Sequence, residues 1–105
     1  MIVVVARHRL RPEHVESFPQ QLEEFTHESR RESGVVSFEW ARSTDEQDVF
    51  FLIEVFKNAA AGEAHTGSEH FRRAIAVLPS LLVEPPQIIH VAADGSGWSR
   101  MAEVS

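Results

Sequence analysis

Residues 49–56, with the sequence VFFLIEVF, form the most hydrophobic stretch of this 105-residue chain. Their aromatic and β-branched side chains predict a β-strand. Apolar residues occupy both faces of that strand, and Glu54 is the one charged residue among them. The helices of so short a chain can cover only one face of a sheet. We therefore expect the other face of this strand to be buried against a second subunit.

The segments on either side complete a β-α-β-β-α-β order. Residues 35–43 alternate apolar and polar side chains, and the polar residues 44–48 separate them from the strand over 49–56. This pattern predicts a hairpin. Residues 2–10 and 87–93 are rich in Val and Ile and predict the first and last strands.

The first helical region covers residues 12–33, where apolar residues recur at helical spacing. Pro19 disturbs this pattern, because a proline inside a helix costs about 3 kcal/mol. Either a short first turn ends near Phe18 and a new helix starts at Pro19, or one helix is kinked there. Gly34 is expected to cap the end of the region.

The second helical region is expected in pieces, because Gly62 and Gly67 interrupt it. Ser68 is suited to cap a helix over residues 69–78, which Pro79 would end. The apolar residues expected to face the core from this helix are Phe71, Ile75 and Leu78.

Together these elements predict an α+β protein with the ferredoxin-like βαββαβ arrangement, a four-stranded antiparallel sheet with helices on one face. One domain would cover residues 1–93. A C-terminal tail, residues 94–105, would begin with a flexible Gly-Ser-Gly link and carry Trp98. The face of the sheet without helices is the one expected to be buried in a dimer.

The composition excludes several classes of protein. Ten Lys and Arg residues against sixteen Asp and Glu residues give a net charge of −6, which disfavours binding to nucleic acid or to an anionic membrane. The absence of Cys excludes disulfides, thiol nucleophiles and thiolate metal sites. No apolar stretch reaches the roughly 18 residues of a membrane span, and the N-terminal apolar run is too short for a signal peptide. We therefore expect a cytoplasmic protein.

Four motifs resemble those of the antibiotic biosynthesis monooxygenase (ABM) family. Residues 32–39 (ESGVVSFE) are similar to the start of that family's second strand, and residues 51–56 (FLIEVF) to its third strand. Residues 64–71 (AHTGSEHF) resemble its AHxxSxHF segment, and residues 78–85 (LPSLLVEP) resemble the segment leading into its last strand. The four motifs occur in the family's order, and the resemblance extends over about residues 2–93.

This resemblance implies a homodimer, a dimeric α+β barrel whose two sheets pack face to face. Each subunit would keep a pocket between its sheet and its helices. It also implies several possible activities: some members oxidise aromatic polyketides or quinols with O2 and without a cofactor, some degrade heme, and one class isomerises a sugar phosphate.

The residues at matching positions narrow these activities. In heme-degrading members, an Asn, a Trp and an axial His occupy positions that match Ala6, His65 and Ile75 here. Isoleucine cannot ligate iron, so heme degradation is disfavoured. In polyketide-oxidising members, an Asn, a Trp, a Tyr and an Arg line the pocket. The matching residues here are Leu52, Phe56, Gly62 and Arg72, of which only the arginine is of the same type.

Glu54, His65 and Arg72 are the candidate catalytic residues. Glu54 is either structural, in an ion pair or in a hydrogen bond to a loop backbone, or a base that removes a phenol proton. His65 is either a structural histidine or a proton shuttle beside a carboxylate. The resemblance assigns Arg72 the stabilisation of a phenolate or oxyanion. The aromatic residues that could bind a flat substrate are Phe38, Trp40, Phe50, Phe56 and Phe71.

We expect no metal site. His65 and His70 are five residues apart, so on one helix they would point to different sides, and His70 is expected to be structural. The sequence also contains no Gly-rich dinucleotide loop, so no cofactor is expected.

These features favour a cofactor-independent monooxygenase that acts with O2 on a small phenolic, hydroquinone or aromatic polyketide-like substrate. Two alternatives stay open. One is an isomerase of the same fold, which would turn over without O2. The other is a non-catalytic dimeric protein that binds a small ligand.

Overall fold

The computed structural model describes residues 1–104 and folds them into one antiparallel sheet with helices packed on one face. The strands lie in the order β2-β3-β1-β4, so β3 and β1 are central. The predicted ferredoxin-like βαββαβ fold is confirmed. The strands are β1 (Ile2–Arg9), β2 (Val35–Arg42), β3 (Val49–Phe56) and β4 (Gln87–Ala92).

Four α-helices and one 3₁₀ turn connect the strands. The turn at Pro12–His14, α1 (Phe18–Gln21) and α2 (Glu23–Arg30) link β1 to β2, whereas α3 (Ala59–Thr66) and α4 (Glu69–Leu81) link β3 to β4. The core lies between the sheet and these helices. The side chains of Leu10 and Phe18 are fully buried there. Burial of each such side chain contributes about 1.5–3 kcal/mol to stability.

The first helical region is broken into separate pieces, as one of the two alternatives predicted. Pro19 lies in the first turn of α1, where a backbone N–H has no helical partner to lose. The prediction for Gly34 was wrong, because α2 ends at Arg30 and Arg31 is its cap. A Cβ at Gly34 would instead overlap the side chain of Ala61 on α3, so glycine is needed for close packing.

The prediction that Pro79 ends the second helical region was also wrong. Helix α4 continues through Pro79 to Leu81, because Leu82 N–H donates to the carbonyl of Leu78 and closes the turn around the proline. The cap by Ser68 is confirmed, since its hydroxyl accepts from the N–H of Phe71 at 3.2 Å. Ile75, expected in the core, is half exposed.

Alternate residues of the strands point away from the helices and form an open apolar face. Val3, Val5 and Ile53 are only partly buried on this face, and Ile89 on β4 is 64% exposed. Every residue of β4 is exposed. This open face is the one on which the sequence predicts a second subunit, and the second subunit stays a prediction.

The described part of the tail, residues 94–104, contains no helix or strand. It leaves the sheet where Ala93 N–H donates to the carbonyl of Met1 at 2.8 Å. It then passes close to Val36, which lies near Gly97. Trp98 remains 76% exposed.

Among residues 1–104, no helix combines the length and the apolar composition needed to cross a membrane.

Candidate functional site

A cavity of about 480 Å³ lies between the helix-facing side of the sheet and the helices α3 and α4. Its volume is within the range of small-molecule sites. Even-numbered residues of β1, β3 and β4 form its floor, because successive side chains of a strand alternate between faces. Most of the lining is apolar, including Val4, Leu52 and Leu78. The cavity can therefore hold a small, largely apolar molecule.

Glu54 brings a carboxylate to the floor of this cavity. It lies on the central strand β3, where it pairs with Val4 of β1 and Phe38 of β2. Glu54 is 9% exposed. A carboxylate so enclosed needs a charged or hydrogen-bonding partner.

His65 supplies that partner from α3. The helix starts at Asn58, whose side chain accepts from the N–H of Ala61 at 2.9 Å, and Gly67 ends it. This placement turns His65 inward, where it is 1% exposed. Its Nε2 lies 3.3 Å from Oε1 of Glu54. That separation suits an ion pair, although the two atoms are not aligned as a hydrogen bond.

Glu32 binds the other nitrogen of His65. It lies in the loop after α2, and its Oε2 is 2.9 Å from His65 Nδ1. The same oxygen is 2.6 Å from Nε2 of His70 on α4. Four side chains therefore form one chain of polar contacts, in the order Glu54, His65, Glu32, His70.

Glu32 was not among the residues predicted for the site, and the orientation predicted for His70 was wrong. The expectation that His65 and His70 point apart assumed one continuous helix. Gly67 instead separates α3 from α4, and the change of direction brings both rings to the same carboxylate. Glu32 begins one of the family-like motifs, and His65 and His70 both lie in another. The motifs therefore contained all three residues, but the sequence did not show that they are in contact.

Two opposing effects set the pKa of His65. Burial lowers it, but the carboxylates of Glu54 and Glu32 outweigh burial, so the pKa lies above the ordinary value of 6.5. The ring is therefore protonated to a greater extent at neutral pH than a free histidine. In its protonated form the ring places a positive charge beside the Glu54 carboxylate at the cavity wall.

The opposite end of the cavity contains His8 and Trp40. Their ring centroids are 5.0 Å apart, and His8 is 3% exposed. Burial lowers the pKa of His8 more than backbone hydrogen bonds raise it, so this ring is kept neutral at pH 7. Trp40 is fixed by a hydrogen bond from Nε1 to Oγ1 of Thr26 at 2.9 Å. His90 on β4 also lines the cavity.

The structure places the predicted aromatic residues in two groups. Trp40, Phe56 and Phe71 line the cavity. Phe38 and Phe50 lie in the core, where they are 2% and 5% exposed, and they are not among the lining residues. They support the cavity wall and do not form its surface.

Arg72 lies outside the cavity, in contrast to Glu54 and His65. Its Nη1 is 2.9 Å from Oε1 of Glu69 one turn earlier, and its side chain is 69% exposed. It faces solvent because the inward side of α4 is taken by Phe71, Ala74 and Leu78. The role that the resemblance assigned to Arg72 therefore has no support within one subunit. The other matched positions do line the cavity, namely Ala6, Leu52, Phe56, Gly62, His65 and Ile75.

Glu32, His65 and His70 could also hold a metal ion. One ligand atom from each lies within 4.8 Å of the other two. Two imidazoles and a carboxylate are a donor set used by zinc and by non-heme iron. However, the separations of 2.9 and 2.6 Å are those of direct hydrogen bonds, which satisfy these atoms without an ion.

Comparison with known proteins identifies relatives of this chain. Residues 1–77 match the model of the family described as antibiotic biosynthesis monooxygenase. The "Uncharacterized protein sll1783" of Synechocystis sp. is 30% identical over 87 residues, which are 83% of this chain and 59% of that protein. The chain thus spans less than two thirds of that relative. The "Putative monooxygenase YcnE" of Bacillus subtilis is 28% identical over 89 residues, which are 85% of this chain and 94% of that protein.

The fold is also found in solved structures. Rv0793 from Mycobacterium tuberculosis superposes with a TM-score of 0.83 and 25% identity, covering 92% of this chain and 98% of that one. The superposition agrees with the fold described above, and the family match covers residues 1–77 of the 105. The resemblance inferred from the sequence motifs is thereby confirmed: this chain belongs to the antibiotic biosynthesis monooxygenase family.

Proposed function

We propose that this protein is a cofactor-independent monooxygenase that acts on a small phenolic, hydroquinone or aromatic polyketide-like substrate. The family and the monooxygenase name of the Bacillus relative support a monooxygenase-like activity in general. The observation that carries the finer proposal is the buried pair of Glu54 and His65 on the wall of an apolar cavity. A carboxylate base on the wall of an apolar cavity is suited to removing the proton of a bound phenol.

In this proposal Glu54 accepts the phenol proton. The protonated ring of His65 stands beside the carboxylate and stabilises the phenolate that forms, which is the role first assigned to Arg72. Trp40, Phe56 and Phe71 bind the flat ring and exclude water.

The oxidation itself uses O2 as the only oxidant. With an anthrone, the deprotonated ring passes electrons to O2, and a carbon–oxygen bond forms to give a peroxide. The stored proton returns to the peroxide, the oxygen–oxygen bond breaks, and the same carbon loses its second hydrogen as a proton. One oxygen atom remains as the new carbonyl and the other leaves as water, so atoms and electrons balance.

O2 uptake by metal-stripped protein with a panel of hydroquinones and anthrones tests this function. We expect uptake above the uncatalysed rate, and a loss of about 100-fold or more in Glu54→Gln, the range for removal of a general base. His27→Gln is the matched control, because His27 is an exposed histidine on α2. Turnover without O2 would indicate an isomerase, and binding without conversion would indicate a ligand-binding protein. Either result contradicts the proposal.

We also propose that the protein acts as a homodimer joined through the open face of its sheet. The apolar residues Val3, Val5, Ile53 and Ile89 support this arrangement, because an exposed apolar face of this kind is typical of a subunit interface. The cavity lies on the opposite side of the sheet, so a dimer of this kind leaves it free to bind substrate.

A further inference from the structure

We propose that Glu32 and His70 form a proton path that connects Glu54 and His65 in the cavity with solvent on the far side of the helix layer. This proposal rests on the proposed function, since it concerns the fate of the proton that Glu54 removes.

The four side chains follow one another from the cavity outward, and the first contact, at ion-pair distance but not aligned as a hydrogen bond, requires the Glu54 carboxylate to rotate into line before a proton passes. Glu54 Oε1 is 3.3 Å from His65 Nε2, His65 Nδ1 is 2.9 Å from Glu32 Oε2, and that oxygen is 2.6 Å from His70 Nε2. An imidazole can accept a proton at one nitrogen and release another from the second nitrogen. The two histidines alternate with the two carboxylates, so a proton can pass between groups that each accept and release one.

The far end of this chain opens into a second pocket. His70 lines a space of about 190 Å³ between α2 and α4, together with Phe25 and the charged residues Glu24 and Arg73. The side chain of His65 is 2% exposed, whereas that of His70 is 13% exposed. The chain of contacts therefore leads outward from the cavity to the surface.

A surface ion pair and an aromatic ring flank the outer end of this chain of contacts. Arg73 Nη2 pairs with Glu24 Oε1 at 2.7 Å, and both side chains are more than half exposed. This pair joins α2 to α4 beside His70. Phe25 packs against His70 from α2, with ring centroids 6.3 Å apart.

A separate route for the proton matters because the substrate would fill the cavity. Glu54 and His65 are only 9% and 1% exposed. With a substrate in place, the cavity itself offers that proton only the bound molecule, to which it returns in the oxidation. The path through Glu32 and His70 would let that proton exchange with water while the substrate stays bound.

Exchange of the substrate's own hydrogen with solvent tests the path directly. Anthrone is incubated with the enzyme in D2O without O2, and incorporation of deuterium at its acidic carbon is followed by mass spectrometry. We expect wild-type enzyme to accelerate incorporation. His70→Gln should lower that acceleration about tenfold or more, because glutamine can donate to Glu32 but cannot carry a proton. His27→Gln should exchange at the wild-type rate.

A second variant separates proton transfer from folding. His70→Ala leaves a space at the outer pocket that free imidazole can enter, and millimolar imidazole should restore most of the lost exchange. Wild-type exchange in His70→Gln, or no rescue of a folded His70→Ala, would overturn the proton path. One equivalent of tightly bound metal in purified wild-type protein, absent from His70→Gln, would overturn it in favour of a metal centre.

The same experiment separates this proposal from the proposed function. O2 uptake and anaerobic exchange in wild-type enzyme, with unchanged exchange in His70→Gln, would reject the path and keep the monooxygenase. Neither uptake nor exchange in wild-type enzyme would reject both.

Discussion

Replacing Glu32 by Gln tests the importance of the polar cluster for stability. Its Oε2 accepts hydrogen bonds from both His65 and His70. A hydrogen bond to a charged group contributes about 1.5–3 kcal/mol, and one between neutral groups about 0.5–1.5 kcal/mol. Glu32→Gln keeps the shape and removes the charge, so each bond should lose about 1–1.5 kcal/mol and the pair about 2–3 kcal/mol.

Thermal unfolding followed by circular dichroism, at one fixed protein concentration, measures this loss. For a domain of this size, 1 kcal/mol corresponds to about 4 °C, so Tm should fall by about 8–12 °C at pH 6. The pKa of His65 is raised in the folded protein, so its stabilising charge is fully present below pH 6.5 and is lost as the pH rises through the folded-state pKa. The fall in Tm should therefore be smaller at pH 9.

Glu28→Gln is the matched control. Glu28 forms only a surface pair with Arg31 at 3.6 Å, and its loss should change the free energy of unfolding by less than about 0.5 kcal/mol. A fall in Tm for Glu32→Gln as small as that of this control, or equal at pH 6 and pH 9, would show that the charge of Glu32 does not stabilise the fold.

Four further results are expected. Arg72→Ala should change O2 uptake less than twofold, because Arg72 pairs with Glu69 in solvent; a loss above tenfold would show that it reaches a cavity after all. The buried His8 has a lowered pKa and stays neutral in the folded protein. Unfolding measurements should therefore show that wild-type protein loses stability more steeply than His8→Gln as the pH falls below 6.5. Parallel stability curves would contradict this. Treatment with a chelator should leave O2 uptake unchanged, because hydrogen bonds already satisfy the candidate metal ligands. A loss of O2 uptake that an added metal ion restores would show that these residues hold a metal. Ile89→Asp should halve the mass seen by sedimentation, and an unchanged mass would place the interface elsewhere.

The strands could be predicted because their signal is local. Alternation along residues 35–43 and the continuous apolar run at residues 49–56 each lie within a few neighbouring positions. Helix ends were harder, because tertiary contacts decide them. Gly34 looked like a cap from its position, but packing against Ala61 explains it. Pro79 looked like a terminator, but the hydrogen bond to Leu78 carries the helix past it.

The site residues divide in the same way, into those with a local signal in the sequence and those that only tertiary contacts bring together. Glu54 was recognisable because a charge in an apolar strand is conspicuous in the sequence alone. Glu32 could not be found in this way, since it is 33 residues from His65 and 38 residues from His70. Arg72 is the opposite case, because its type matched the family but its side chain lies in solvent in one subunit. A match of residue type at one position does not fix which side of α4 the side chain occupies.

The phenylalanine rings around His65 have a consequence for how that residue works. Four ring centroids lie 5.3–5.7 Å from the centre of the imidazole, those of Phe25, Phe38, Phe56 and Phe71. A half-turn of the imidazole about its Cβ–Cγ bond would require this close-packed set to move apart. Nδ1 and Nε2 therefore keep their own neighbours and cannot exchange them. The imidazole of His65 thus joins Glu54 on one side to Glu32 on the other in one fixed orientation. The packed phenylalanine rings hold that orientation as much as the charges of the two carboxylates do.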